Sequence, residues 1–200
     1  MTLGKCDNEW EPCRLYRLTH DFIKTPIAGF MLDFDTFESR VDKHSRYDIR
    51  KCIKMGYITR VMTIEERNER LEQVKTINRS KEIRQDHKVK DFLWNPYPIS
   101  TSECRNHPVT YFGCFKDDIL YAYISIYRLG DTGHLTNIFG HGEHLKYGIV
   151  RFLFKFVAEY YKSQGVKIII YHRLNNGTQG LIHWKKSMGF KEMKLDEVFS

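Results

Sequence analysis

The chain has 200 residues, 42% of them hydrophobic and 14% aromatic, enough for one globular domain with a substantial core. Thirty-two basic against 25 acidic residues give a formal charge of +7, a lean toward anionic partners such as nucleic acid, an acidic lipid surface or a phosphorylated cofactor. There is no run of eighteen apolar residues, so no helical membrane span is expected, and the N-terminus lacks the apolar stretch of a signal peptide. Five cysteines (Cys6, Cys13, Cys52, Cys104 and Cys114) contain no C-x-x-C pair, so free thiols in a reducing, cytoplasmic setting are expected.

In chain order, a short strand is expected around residues 13–18 and another over 26–34 (PIAGFMLDF). Asp35 with Glu38 three residues on predicts the start of a helix that runs to about residue 54. Phe37, Val41, Ile49 and Ile53 give it a buried side, while Arg46, Arg50 and Lys54 stack at i+4 steps along another, with Lys43 nearby. That stripe reads either as a solvated face or as a ridge that contacts a phosphate backbone. Gly56 ends the helix, residues 57–62 (YITRVM) read as a strand, and Thr63 with Glu66 forms a capping box for a helix carrying Ile64, Leu71, Val74 and Ile77. Residues 79–106 are the least regular part, broken by Pro96 and Pro98 and carrying Trp94 and Tyr97. They suit an acceptor-side lid, with Arg84, Lys88 and Lys90 extending the basic ridge.

From Val109 two strands, 109–115 and 119–129, are joined by a hairpin turn at Lys116-Asp117-Asp118. A second turn over 130–133 leads to a strand at 135–139. Leu145, Ile149, Leu153, Phe156 and Tyr160 then fall at helical spacing, and Gly165 sits where a C-terminal cap would. Residues 166–172 (VKIIIYH) are a buried strand, Asn176 with Gln179 predicts a helix running to Met188, and the tail after Phe190 is a last strand. The order β-α-β-α-β-β-β-α-β-α-β defines an α/β fold in one domain. A strand–helix–strand unit with a polar turn before its helix aims backbone N–H groups and a helix dipole at one spot, a site for an anion such as a pyrophosphate.

His134, His141, Glu143 and His144 gather around that turn. His141, Glu143 and His144 read as a general-base set, as ligands for zinc or iron, or as polar residues of a helix-opening loop. Tyr123, Ser125 and Tyr127 alternate along one strand, so one face either lines an acceptor pocket or packs the core.

The segment Leu145-Lys146-Tyr147-Gly148-Ile149-Val150 resembles the (Arg/Gln)-x-x-Gly-x-(Gly/Ala) turn of the GNAT acyltransferase superfamily, with only Gly148 retained. Trp184-Lys185-Lys186-Ser187-Met188-Gly189-Phe190 resembles the closing Phe-Lys-x-x-Phe-Gly segment of FemAB-type aminoacyltransferases. The segment from Arg46 through Cys52 to Tyr57 is similar to their arginine-rich helix followed by glycine and a strand. The resemblance implies a GNAT-like mixed, mostly antiparallel sheet flanked by helices on both faces. Residues 1–107 would form the acceptor-side half and 108–195 the donor-binding half. It implies transfer of an acyl group from acyl-CoA (acetyl-CoA) or aminoacyl-tRNA to an amine, with no metal. The backbone around Phe139, Gly140, Lys146, Tyr147, Gly148 and Ile149 would hold the donor, together with Asn175 and Asn176. Lys185 would act on an anionic donor or a developing oxyanion, with His141, Glu143 and His144 as the base group. Arg46, Arg50, Lys54, Tyr123, Ser125 and His172 would meet the acceptor side. The alternatives are a transferase of the same fold acting on a nucleic-acid base in DNA, and a catalytically silent binding module.

Overall fold

The computed structural model describes residues 26–31, 37–84, 87–88, 96 and 106–194. The strands are β1 (Ile27–Met31), β2 (Ile58–Met62), β3 (Ile83–Arg84), β4 (His87–Lys88), β5 (Val109–Lys116), β6 (Ile119–Leu129), β7 (Thr132–Gly140), β8 (Ile168–Ile170) and β9 (Lys191–Met193). The helices are α1 (Phe37–Arg40), α2 (Lys43–Lys54), α3 (Ile64–Glu69), α4 (Leu71–Arg79), α5 (Ile149–Ser163) and α6 (Gln179–Ser187). Seven strands form one sheet in the order β2-β5-β6-β7-β8-β1-β9, and β3 with β4 makes a separate two-stranded ribbon. Every pairing is antiparallel except β7 with β8. This is the α/β, mixed sheet that the sequence led us to expect.

Each face of the sheet carries helices. On one, Ile49 and Cys52 of α2 and Leu153, Phe154, Val157 and Ala158 of α5 bury against Phe112, Ile124, Ile126 and Leu135. On the other, Val74 and Ile77 of α4 cover Tyr111, Phe115, Leu120 and Tyr123. Each fully buried aliphatic or aromatic side chain contributes roughly 1.5–3 kcal/mol, so the apolar stripe of α5 is a principal anchor of the fold.

Local chemistry sets the connections. Asp117 (φ 50°) and Asp118 (φ 59°) both adopt the left-handed conformation, which gives the tight two-residue hairpin between β5 and β6. The next turn is as short, so β7 begins at Thr132 rather than at Leu135. The helix expected from Asp35 is broken at Val41. Asp42 starts α2 by accepting a hydrogen bond from Ser45 N at 2.6 Å, and Asp35 lies outside the described residues. Thr63 caps α3 through Glu66 N as expected, and the helical run is interrupted at Arg70 before α4. Thr178 caps α6 by accepting from Leu181 N at 3.1 Å, a task the sequence had suggested for Asn176. The expected strand at 13–18 and most of the lid over 79–106, including Trp94, Tyr97 and Lys90, lie outside the described residues.

The feature that matters for function is where β7 and β8 part. They pair only at Thr132↔Ile168, Gly133↔Ile169 and His134↔Ile170. Immediately beyond, β7 carries a bulge: Leu135 pairs with Ile126 and Asn137 with Ser125, which leaves Thr136 as the extra residue. A bulge bends its strand and increases local twist. On the other branch, Tyr171 N donates to Ala28 O (2.8 Å) and Ala28 N to His172 O (2.6 Å), so the chain after β8 follows β1 away from β7. His172, at φ 45°, completes the departure. This is why the strand expected over 166–172 shortens to three residues.

Candidate active site

A cavity of ≈ 460 Å³ opens at the far end of β7, within the usual range for small-molecule sites. Ile138, Phe139 and Gly140 form its floor. Leu145, Gly148, Val150 and Arg151 make one wall, Thr178, Gly180, Leu181 and Trp184 the other, and Lys81, Ile83 and Arg84 the rim. The N-termini of α5 and α6 therefore both border it. Helix α5 opens on Gly148 without a side-chain cap bond, which leaves its first-turn amides and the positive end of its dipole available to an anionic or polarised group.

Gly148 is set by two constraints at once. Its φ is +81°, and a Cβ there would lie 2.5 Å from the Cβ of Asp48 on α2. Asp48 in turn pairs with Arg151 Nη1 at 3.3 Å, and Arg151 Nε donates to Ser45 Oγ at 2.9 Å. The start of α5 is thus pinned to α2. Leu145 and Val150, the two departures from the family turn, close on β7: a Cβ on Gly140 would meet each of them at 2.7 Å. Several amides of the turn face inward. His141 N donates to Tyr121 O (2.8 Å), His144 N and Leu145 N to His141 O (2.9 and 3.1 Å), and Gly148 N to Leu145 O (3.0 Å). Gly142 N donates to Ser80 Oγ at 2.8 Å.

Arg84 does not join a surface ridge. Its guanidinium donates to Ile77 O (2.6 Å) and Gly140 O (3.2 Å) and lies over the Phe139 ring. Burial lowers its pKa. Its position in a polar, aperiodic segment hid this duty, which ties the rim to the floor. The basic stripe on α2 also changes. Arg46 is half-buried and donates to Val41 O, whereas Lys43, Tyr47, Arg50 and Lys54 are exposed at the i, i+4, i+7, i+11 spacing of a single helix face.

His141, Glu143 and His144 do converge, with one ligand-capable atom from each within 4.8 Å of the others. His144 Nδ1 shares a hydrogen bond of 2.6 Å with the Tyr57 hydroxyl, and its ring stacks on Tyr121 at 4.0 Å. Burial, then repulsion from His141, lowers the His144 pKa. The group sits on the turn outside the cavity lining. His134 is not part of it: buried at the fork, it lies 5.9 Å ring to ring from His172. Burial pushes the pKa of His134 down to about 4.

Lys185 is 1% exposed. Its Nζ donates to Arg173 O (2.7 Å) and Asn176 O (3.1 Å) and sits over Tyr171; burial lowers its pKa to about 8. It clamps the loop that lines a second cavity with Pro26, His172, Asn175, Asn176 and Glu192. Asn175, Asn176 and His172 therefore gather there and not at the α5 cavity. Lys185→Met is expected to lose about 2 kcal/mol, since two hydrogen bonds from a charged group disappear, and to melt roughly 4–8 °C lower. A melting temperature within a degree of the parent would show that the clamp is dispensable.

Of the remaining expected residues, Phe139, Gly140 and Gly148 line the α5 cavity. Ile149 is core, and Lys146 and Tyr147 pack on each other on the turn. Tyr123 donates to Asn78 Oδ1 at 2.8 Å, and Ser125 bonds Thr136 and Asn137 across the bulge; neither lines the α5 cavity or the second one. Tyr57, Arg151 and Thr178 were missed. Only Thr178 left a signal, as a threonine directly before a helix.

A model described as "Acetyltransferase (GNAT) family" matches residues 55–190, well over half of the chain. The chain belongs to that family. Among solved structures it is similar to FemX (10% identity, TM-score 0.65, covering 84% of this chain and 59% of that one). It is also similar to the C-terminal DUF2156 domain from Agrobacterium fabrum (12% identity, TM-score 0.56, 84% and 57%). L-PGS from Bacillus licheniformis is a third (17% identity, TM-score 0.50, 78% and 48%). At these identities the likeness is one of fold, and the chain spans about half to three-fifths of each of them. No curated protein sequence matches it.

Proposed function

We propose that the protein moves an acyl or aminoacyl group from an activated donor to an amine, with the donor's acyl end seated in the cavity at the end of β7. The observation that carries this is the fork: β7 and β8 part after three pairs, and the opening leads to a cavity bordered by the N-termini of α5 and α6. The amine nitrogen attacks the donor carbonyl, the C–S or C–O bond breaks with its electron pair going to the leaving group, and the nitrogen gives up a proton. The uncapped first turn of α5 supplies N–H dipoles for the oxyanion that develops. Positioning the two reactants in one cavity adds to this by removing the entropy cost of bringing them together.

Two donors suit this chemistry. The family points to acyl-CoA. Five amides of residues 141–148 are already engaged, which leaves a diphosphate chiefly the first turn of α5 and weighs toward an aminoacyl ester. The exposed Lys43, Tyr47, Arg50 and Lys54 face offers a polynucleotide carrier both charge and a stacking surface. Incubation with acyl-CoA or charged tRNA and a panel of primary amines, read by mass spectrometry, tests the reading. Transfer from charged tRNA is expected, falling about tenfold in the Arg50→Glu/Lys54→Glu double variant, as lost phosphate contacts weaken binding uniformly. Transfer from acyl-CoA alone would assign the other donor, and acylation of duplex DNA bases would redirect the acceptor. No transfer from either donor would remove the proposal.

A further inference from the structure

We infer that His141, Glu143 and His144 form a binding site for a late first-row divalent cation, with Zn2+ the foremost candidate, on the turn that carries the cavity wall. This goes beyond the acyl-transfer reading and does not rest on it. The ligand set is two imidazoles and a carboxylate, a combination that suits zinc with a fourth position left to water or an anion. One ligand-capable atom from each lies within 4.8 Å of the others. Ligand atoms around tetrahedral zinc sit roughly 3.3–3.5 Å apart, as Zn–N distances near 2.0–2.1 Å require. A small rotamer adjustment closes the difference, and Glu143, which is exposed, is free to make it.

Two further observations point the same way. His144 is already held as a ligand would be. Tyr57 engages its Nδ1 at 2.6 Å and Tyr121 stacks on its ring at 4.0 Å. If Nδ1–H donates to the Tyr57 oxygen, Nε2 is left with a lone pair for a metal; such outer hydrogen bonds orient metal-binding histidines and fix their tautomer. His141 shows the complementary sign: its Nδ1 is shielded from solvent and has no hydrogen-bond partner. Buried polar atoms are rarely left so, and coordination would satisfy it. The scaffold between them is rigid, because His144 N and Leu145 N both bond to His141 O.

The test uses the full chain freed of metal by a chelator and titrated with Co2+ as a spectroscopic probe, then with Zn2+. One equivalent of Co2+ is expected to bind with visible d–d bands that Zn2+ abolishes, and saturating Zn2+ to raise the melting temperature by roughly 5 °C or more. His141→Ala and His144→Ala should each weaken binding at least a hundredfold. Tyr57→Phe should weaken it about tenfold, the size of an outer hydrogen bond to a ligand, while the exposed His183→Ala leaves it unchanged. Should a histidine variant fail to fold, Glu143→Gln, altered only at an exposed carboxylate, is expected to lose at least tenfold. Absence of stoichiometric binding, binding unchanged in these variants, or an intense near-ultraviolet thiolate-to-cobalt band would each overturn the site.

Discussion

Gly148→Ala is expected to destabilise the protein by about 3 kcal/mol. The left-handed φ of +81° disfavours any side chain by about 1–2 kcal/mol. The added carbon would also lie 2.5 Å from Asp48 Cβ and 3.2 Å from the Asp48 carbonyl carbon, an overpacking that costs about 1–3 kcal/mol more. Relief requires α2 and α5 to move apart, which pulls on the Asp48–Arg151 pair and shifts the cavity wall. Donor affinity should therefore fall along with stability. Urea unfolding of the variant and the parent, with comparable m-values, reads the effect directly. A loss below about 0.5 kcal/mol, the range of ordinary surface substitutions, would contradict this account of the α2–α5 junction.

The second large effect is a loss of stability in mild acid. Burial holds the His134 pKa at about 4 against the usual 6.5. Below pH 6.5 the unfolded chain takes up a proton that the folded chain refuses. The stability contributed by neutral His134 is therefore complete above pH 6.5 and lost as pH falls toward 4, by about 3 kcal/mol in all. His172, whose pKa burial also lowers, adds in the same direction. Stability measured from pH 7.5 to 4 in the presence of a chelator should fall along this curve, and His134→Gln should flatten it. An equally steep curve in that variant would show that another group controls the acid limb.

The sequence revealed the parts of the fold that rest on periodicity or turn chemistry. The Asp117-Asp118 turn, the buried run before His172 and the stripe of α5 each announced an element, and the order of the main-sheet strands followed, while the β3–β4 ribbon and the helix breaks at Val41 and Arg70 did not. The fork was not legible, since nothing in residues 132–140 marks the bulge at Thr136. The site was visible where it is contiguous, at Phe139, Gly140 and Gly148, and hidden where it is assembled from distant segments. Arg84 looked like a surface cation because no pattern distinguishes a guanidinium that bonds carbonyls from one in water. Asp48 and Arg151 meet across two helices a hundred residues apart in the chain. His134 looked like a neighbour of His141, yet seven residues of strand separate them by roughly 20 Å. Asn176 and Thr178 are both competent caps, and only the geometry decides between them.

The placement of the donor is tested most directly at Gly180. This residue lines the cavity near the start of α6, and a Cβ there meets nothing closer than Thr178 Oγ1 at 3.6 Å. Gly180→Trp should fill the space with little effect on the fold. Calorimetric titration of the parent and the variant with the donor that supports transfer is the decisive measurement. The expected result is a melting temperature near that of the parent and donor affinity reduced at least tenfold. A stable Gly180→Trp protein that binds and transfers as the parent does would place the donor elsewhere.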